Sequence, residues 1–209
     1  MSGRDLAAIE HMLGVVEACL LETFPDDFYR RCAFSAFGMR ALLRDAGADP
    51  VLVGGQFAAL VSAPDGSRQA LQGFRSGKEP HPHYWVEAND RLIDLSPHLL
   101  AFGSDYPILP MPALAWEMSA PLPAAFRYRA RQRYPDDSPM SIDPDLCAQA
   151  DAFVARCRAV IADAERAPRL QCWVASNYAS LLAAVQRGDA WASDAKRFEQ
   201  VAQNQPMPF

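Results

Sequence analysis

The sequence predicts an α+β fold in which N-terminal helices pack on an antiparallel sheet and further helices close the chain. Apolar residues recur at helical spacing near the start and again over the last third. Between these stretches lie short strand-like runs separated by turn signals. Helices, then strands joined by tight turns, then helices is an α+β order, unlike the regular alternation that makes parallel sheets.

The first helix is predicted from Leu6 to Leu21, where Ile9, Leu13, Val16 and Leu20 mark one face before Phe24-Pro25. Asp26 and Asp27 stand where an N-cap belongs. A second helix through Phe28, Cys32, Ala36, Met39, Leu42 and Leu43 would stop at Ala46-Gly47. Val51-Leu52-Val53, Gly54-Gly55 and Gln56 to Val61 then read as strand, closed by the turn Pro64-Asp65-Gly66-Ser67, and a second turn is expected at Ser76 to Pro80. His83 to Glu87 and Arg91 to Leu95 form a hairpin about Asn89-Asp90.

The segment Pro97 to Pro123 is expected as extended loop, with aromatic anchors Tyr106 and Trp116 and a short strand at Leu114 to Met118. A strand at Ala125 to Tyr134 carries Arg127, Arg129, Arg131 and Arg133 at period two, the pattern of a solvated edge-strand face or of an anion site. Asp143-Pro144 opens a long helix to about Arg166, and a last helical region runs from Gln171 to Arg187 and on to Ala202.

The chain has 209 residues, 25 acidic against 20 basic, a formal charge of −5, and half its residues hydrophobic. A chain of this size buries roughly 70% of its unfolded surface without covalent staples. One domain over 1–209 is expected, with a core over about 26–97 and a strand and helical extension over about 113–204. The acidity argues against nucleic acid as a partner. The N-terminus shows neither an export signal nor an 18-residue apolar run, so a cytoplasmic protein with no membrane partner is expected. Its oligomeric state is not written in the sequence.

Five cysteines, Cys19, Cys32, Cys147, Cys157 and Cys172, are an odd number with no Cys-x-x-Cys pair, which disfavours both a disulfide scaffold and a zinc ribbon. A nucleophilic thiol needs a base and a group that orients the base. Cys32 falls near the start of a helix, where peptide dipoles favour a thiolate. Cys147, Cys157 and Cys172 have no histidine after them, and Cys19 lies late in its helix.

There are four histidines, His11, His81, His83 and His98. His83 shares a strand face with Trp85 and Glu87. Across the Asn89-Asp90 turn, positions whose numbers sum to about 179 face one another, which makes His83 and Asp94 near neighbours. A carboxylate there fixes the imidazole tautomer and favours its charged form. His81 lies between two prolines, and a metal set of His81, His83 and Asp94 lacks a further ligand at a fixed spacing. His98 is expected at the surface.

Cys32-Ala33-Phe34-Ser35-Ala36-Phe37-Gly38-Met39-Arg40-Ala41-Leu42-Leu43-Arg44-Asp45-Ala46-Gly47, the strand into Gly54-Gly55, His83-Tyr84-Trp85-Val86-Glu87 and Ile93-Asp94-Leu95 together resemble the transglutaminase-like superfamily. That group shares the papain-like arrangement with arylamine N-acetyltransferases and lasso-peptide leader peptidases. The resemblance spans about residues 28–97. It implies a papain-like or transglutaminase-like core with Cys32 as nucleophile, His83 as base and then acid, and Asp94 as orienting carboxylate. The oxyanion would be held partly by the Cys32 N–H.

A peptide, protein or small acyl or amide substrate would then pass through a thioester, with no metal and no cofactor; no nucleotide loop or cofactor motif is present. Trp85 and Gln56 are the candidates for substrate contact. Gln56 is also the candidate side-chain oxyanion donor, a surface glutamine being its plainer reading. In that superfamily a glycine commonly precedes the nucleophile, whereas Arg30-Arg31 precede Cys32 here. An inactive fold of the same type that binds peptides is the alternative.

Overall fold

The fold is known from a computed structural model that describes residues 3–73, 83–135, 144–163 and 168–202. The expected turn at Ser76 to Pro80, together with His81 and Asp143, lies outside the described residues. The α+β class holds. Helices α1 (Gly3–Thr23) and α2 (Cys32–Asp45) precede strands β1 (Val51–Ser62), β2 (Gln69–Gln72), β3 (His83–Ala88) and β4 (Arg91–Asp94). The four-residue α3 (Ser96–Leu99), strands β5 (Ala113–Glu117) and β6 (Phe126–Tyr134), and α4 (Pro144–Ala162) follow. The described chain ends with β7 (Val174–Ala175), α5 (Tyr178–Gln186) and α6 (Ala190–Ala202).

One sheet organises these elements in the order β2-β1-β3-β4-β5-β7, with β6 on the other edge of β1. Every pairing is antiparallel except β5 with β7. The β3-β4 hairpin pairs Val86 with Ile93, Glu87 with Leu92 and Ala88 with Arg91, the register its turn predicts. Asn89 and Asp90 both take positive φ, 50° and 60°, as a type I′ turn requires.

The sheet separates two apolar layers. Leu52, Val86 and Ile93 pack with α1, α2 and α4, where Leu13, Val16, Leu42 and Phe153 are buried. Val53, Phe57, Trp85, Leu92 and Trp116 pack with α5 and α6 around Leu181 and Trp191. The Trp191 indole donates to the Leu60 carbonyl at 2.8 Å, fixing α6 to β1.

Three expectations change. Asp27 caps no helix: a 3-10 turn at Phe28–Arg30 intervenes and α2 begins at Cys32 itself. The region after Gln171 is not continuous helix, because Val174 and Ala175 pair in parallel with Ala113 and Leu114; two residues are too few to show a period. The four arginines do not share a face. β6 pairs Gly55 with Ala130 but Gly54 with Gln132, so Arg131 is bulged out. Arg127 and Arg129 oppose Ala58 and Gln56, while Arg133 opposes Val53 on the other face of β1.

Candidate active site

Cys32 is placed by the turn before it. Arg31 folds back on Asp27, pairing through Nε at 3.0 Å and Nη2 at 2.6 Å, and its guanidinium lies 4.7 Å from the Phe24 ring centre. The Arg31 guanidinium is thereby held by Asp27 and the Phe24 ring. Cys32 is then the first residue of α2, where backbone N–H groups have no partner within the helix. α2 packs along β3 and brings the Cys32 thiol near enough to the His83 imidazole to favour its charged form.

His83 opens β3 opposite Gly55 and is completely buried. The Phe57 ring lies 4.7 Å away on one side, and the Trp85 indole stacks at 5.9 Å and 22°. Gly55 makes this possible: a Cβ there would sit 2.3 Å from the Arg129 carbonyl oxygen and 2.7 Å from Trp85 Cη2.

Asp94, the last residue of β4, is also buried. Its Oδ2 lies 2.6 Å from His83 Nε2 and accepts from the Tyr128 hydroxyl at 2.7 Å, while Oδ1 accepts from the Ser96 N–H at 2.9 Å. Nε2 is held by the carboxylate. Burial works against a charged imidazole, but the charge and hydrogen bond of Asp94, and then those of Cys32, outweigh it and hold His83 up at about 10. Burial, reinforced by the Asp94 charge, keeps the Tyr128 phenol well above its ordinary value, so its hydroxyl remains a donor.

Cys32, His83, Asp94 and Trp85 are thus brought together. Gln56 is not with them. It is buried, on the face of β1 opposite Gly55 and Phe57, and its Oε1 accepts from Arg131 Nη2 at 3.1 Å. Among the described residues, no group of three or more His, Cys, Asp or Glu is placed to hold a metal ion. The sequence reading missed Tyr128, whose signal was its inward parity between Arg127 and Arg129. It also misplaced His98, which is buried against Glu17 at 2.7 Å rather than exposed.

Two cavities involve neighbouring segments. One of about 380 Å³ is lined by Tyr29 and Arg30, just before Cys32, and by Leu71 and Leu100. The Tyr29 ring lies so close to Gly103 that a Cβ there would meet Cδ2 at 2.5 Å. The other, about 320 Å³, is floored by Trp85 and Tyr128 and edged by Glu87, which Arg133 pairs through Nε at 2.9 Å.

No family model matches the chain. No curated protein matches it either. Among solved structures, the crystal structure of a genomics target is 15% identical, covering 82% of this chain and 95% of its own, with a TM-score of 0.43. A likeness at that level carries no argument. No described helix is long and apolar enough to cross a membrane.

Proposed function

We propose that this protein performs cysteine-dependent acyl or amide chemistry on a papain-like or transglutaminase-like core. The observation that carries the reading is the convergence of a helix-opening thiol, a buried imidazole and a carboxylate 2.6 Å from that imidazole. They come from three separate elements, with the carboxylate itself fixed by two further donors.

In this reading Cys32, its proton resting on His83, attacks the carbonyl carbon of an acyl or amide substrate. The oxyanion forms at the start of α2, where the Cys32 N–H and its neighbours point outward. His83 Nδ1–H then protonates the departing amine or alcohol as the tetrahedral centre collapses to a thioester on Cys32. Having given its proton to the leaving group, His83 is neutral in the acyl-enzyme and is free to act as base in the second half. It takes a proton from water or an acceptor amine, whose attack releases the acyl group and restores the thiolate.

Substrate is expected to approach through the cavity beside Tyr29, Arg30, Leu71 and Leu100, which borders the segments that carry Cys32 and follow Asp94. A largely apolar wall with one guanidinium suits an apolar acyl group or side chain. The test is a screen of chromogenic amides, esters and thioesters with wild type and Cys32→Ala. Turnover by wild type that disappears in Cys32→Ala is expected, with an acyl adduct on the Cys32 peptide by mass spectrometry. If Cys32 reacts with iodoacetamide at pH 7 no faster than the exposed Cys147, the reading fails and a peptide-binding role takes its place.

A further inference from the structure

The two arginines that precede Cys32 are put to different uses by the fold. Arg31 pairs with Asp27, whereas Arg30, the last residue of the 3-10 turn, lines the cavity of about 380 Å³. Its guanidinium lies over the Tyr29 ring, 5.4 Å from the ring centre. Arg91, Arg133, Arg156, Arg158 and Arg197 each end, like Arg31, on a carboxylate. Arg30 has no carboxylate partner among the described residues, and it is exposed.

A guanidinium stacked on a ring has one face covered and its edge open, and that edge carries the fork of N–H donors that matches a carboxylate. The ring beneath is fixed in turn. Phe28 meets it edge-on at 5.8 Å and 85°, and Gly103 packs on it so closely that a Cβ would reach Tyr29 Cε2 at 2.8 Å. The fork is therefore in place before a ligand arrives. No acidic residue lines this cavity; Leu71 and Leu100 add apolar wall and Gln72 a polar edge. One cation in an otherwise uncharged hollow balances a single negative charge, which is a carboxylate rather than a phosphate dianion, and the leucines suit an apolar group joined to it. Arg30 and Cys32 are two residues apart, so their Cα atoms are separated by no more than about 7 Å and one short substrate can reach both.

We propose that Arg30 is a specificity residue and that the substrates are N-acyl amino acids and short peptides with an apolar C-terminal residue, held by the free α-carboxylate and cleaved at the amide bond before it. The inference rests on the thiol chemistry proposed above. The Cys32 sulfur bonds to the carbonyl carbon, the C–N bond breaks, and the amino acid departs with the proton from His83. Water then hydrolyses the thioester, releasing the acyl group as an acid and restoring the thiol.

The test labels the full chain at pH 7 with N-iodoacetyl-leucine and, in parallel, with N-iodoacetyl-leucinamide, which differs only in lacking the negative charge. Peptide mapping reads Cys32 against the exposed Cys147 as internal standard. The Cys32 to Cys147 ratio is expected to be roughly five- to tenfold higher with the acid than with the amide. Arg30→Gln, at an exposed position, should bring the two reagents to within about twofold of each other. Release of leucine from N-acetylalanylleucine should lose roughly five- to tenfold in kcat/KM in the same variant, mainly through KM. Rapid but equal labelling of Cys32 by both reagents overturns the inference and leaves the thiol chemistry standing. So does a preference for the acid that survives Arg30→Gln, or a failure to release leucine by a wild type whose Cys32 labels rapidly. Labelling of Cys32 no faster than Cys147 by either reagent removes the thiol chemistry itself, and this substrate class with it.

Discussion

Replacing Asp94 with asparagine tests the core of the site without changing its shape. The carboxylate accepts three hydrogen bonds, from His83 and Tyr128 at Oδ2 and from the Ser96 N–H at Oδ1. An amide has one accepting end. If its oxygen stays with Ser96, its NH₂ faces the Tyr128 hydroxyl and the imidazole; if it flips, the NH₂ faces the Ser96 N–H. Either orientation sets donor against donor and leaves a buried imidazole without its counter-charge. Breaking a buried pair from one side costs about 3–5 kcal/mol. In a chain of this length that lowers the melting temperature by roughly 6–20 °C.

The chemical consequence is separate from the thermal one. Without Asp94, burial dominates and His83 loses its proton near neutral pH, so the thiol loses its cationic neighbour. Alkylation of Cys32 by iodoacetamide at pH 7, followed by peptide mass spectrometry with Cys147 as internal standard, should slow by roughly tenfold or more in Asp94→Asn. An unchanged Cys32 rate in a folded variant, or an unchanged melting temperature, would refute the argument.

Tyr128→Phe removes one donor to a charged acceptor and should cost about 1.5–3 kcal/mol in chemical denaturation, while Cys32 alkylation slows less than in Asp94→Asn because the His83 contact remains. Gly55→Ala forces a methyl against the Arg129 carbonyl and the Trp85 indole, and should cost at least about 1–3 kcal/mol by thermal melting, with a loss of near-ultraviolet signal from displaced Trp85. The pH dependence has a definite sign. His83 and His98 are both held up at about 10 from 6.5, so their contribution is complete below 6.5 and is lost as pH rises through about 10. Stability measured in urea should fall over that window, less steeply in Asp94→Asn.

The local parts of the fold were legible because they depend on short-range chemistry. Asn89-Asp90 demanded a two-residue turn, the turn fixed the register, and the register put His83 near Asp94 before any coordinates were needed. Cys32 at a helix start was legible too, though the aspartates before it pointed to an earlier start. What was hidden depends on contacts distant in sequence. Tyr128 reaches Asp94 from 34 positions away, and His98 meets Glu17 from 81. Periodicity along β6 could not reveal the bulge at Arg131, because a bulge is a property of two paired strands. His98 reads as surface in the sequence because its burial depends on Glu17 of α1, far away along the chain.

The stack of Trp85 on His83 makes the site optically self-reporting. A protonated imidazole quenches a nearby indole more strongly than a neutral one, and these two rings lie 5.9 Å apart and nearly parallel. The chain has four tryptophans, so replacing Trp116, Trp173 and Trp191 with phenylalanine would leave one emitter, its brightness set by the proton on His83. The charge state of the site could then be followed in real time without any substrate chromophore.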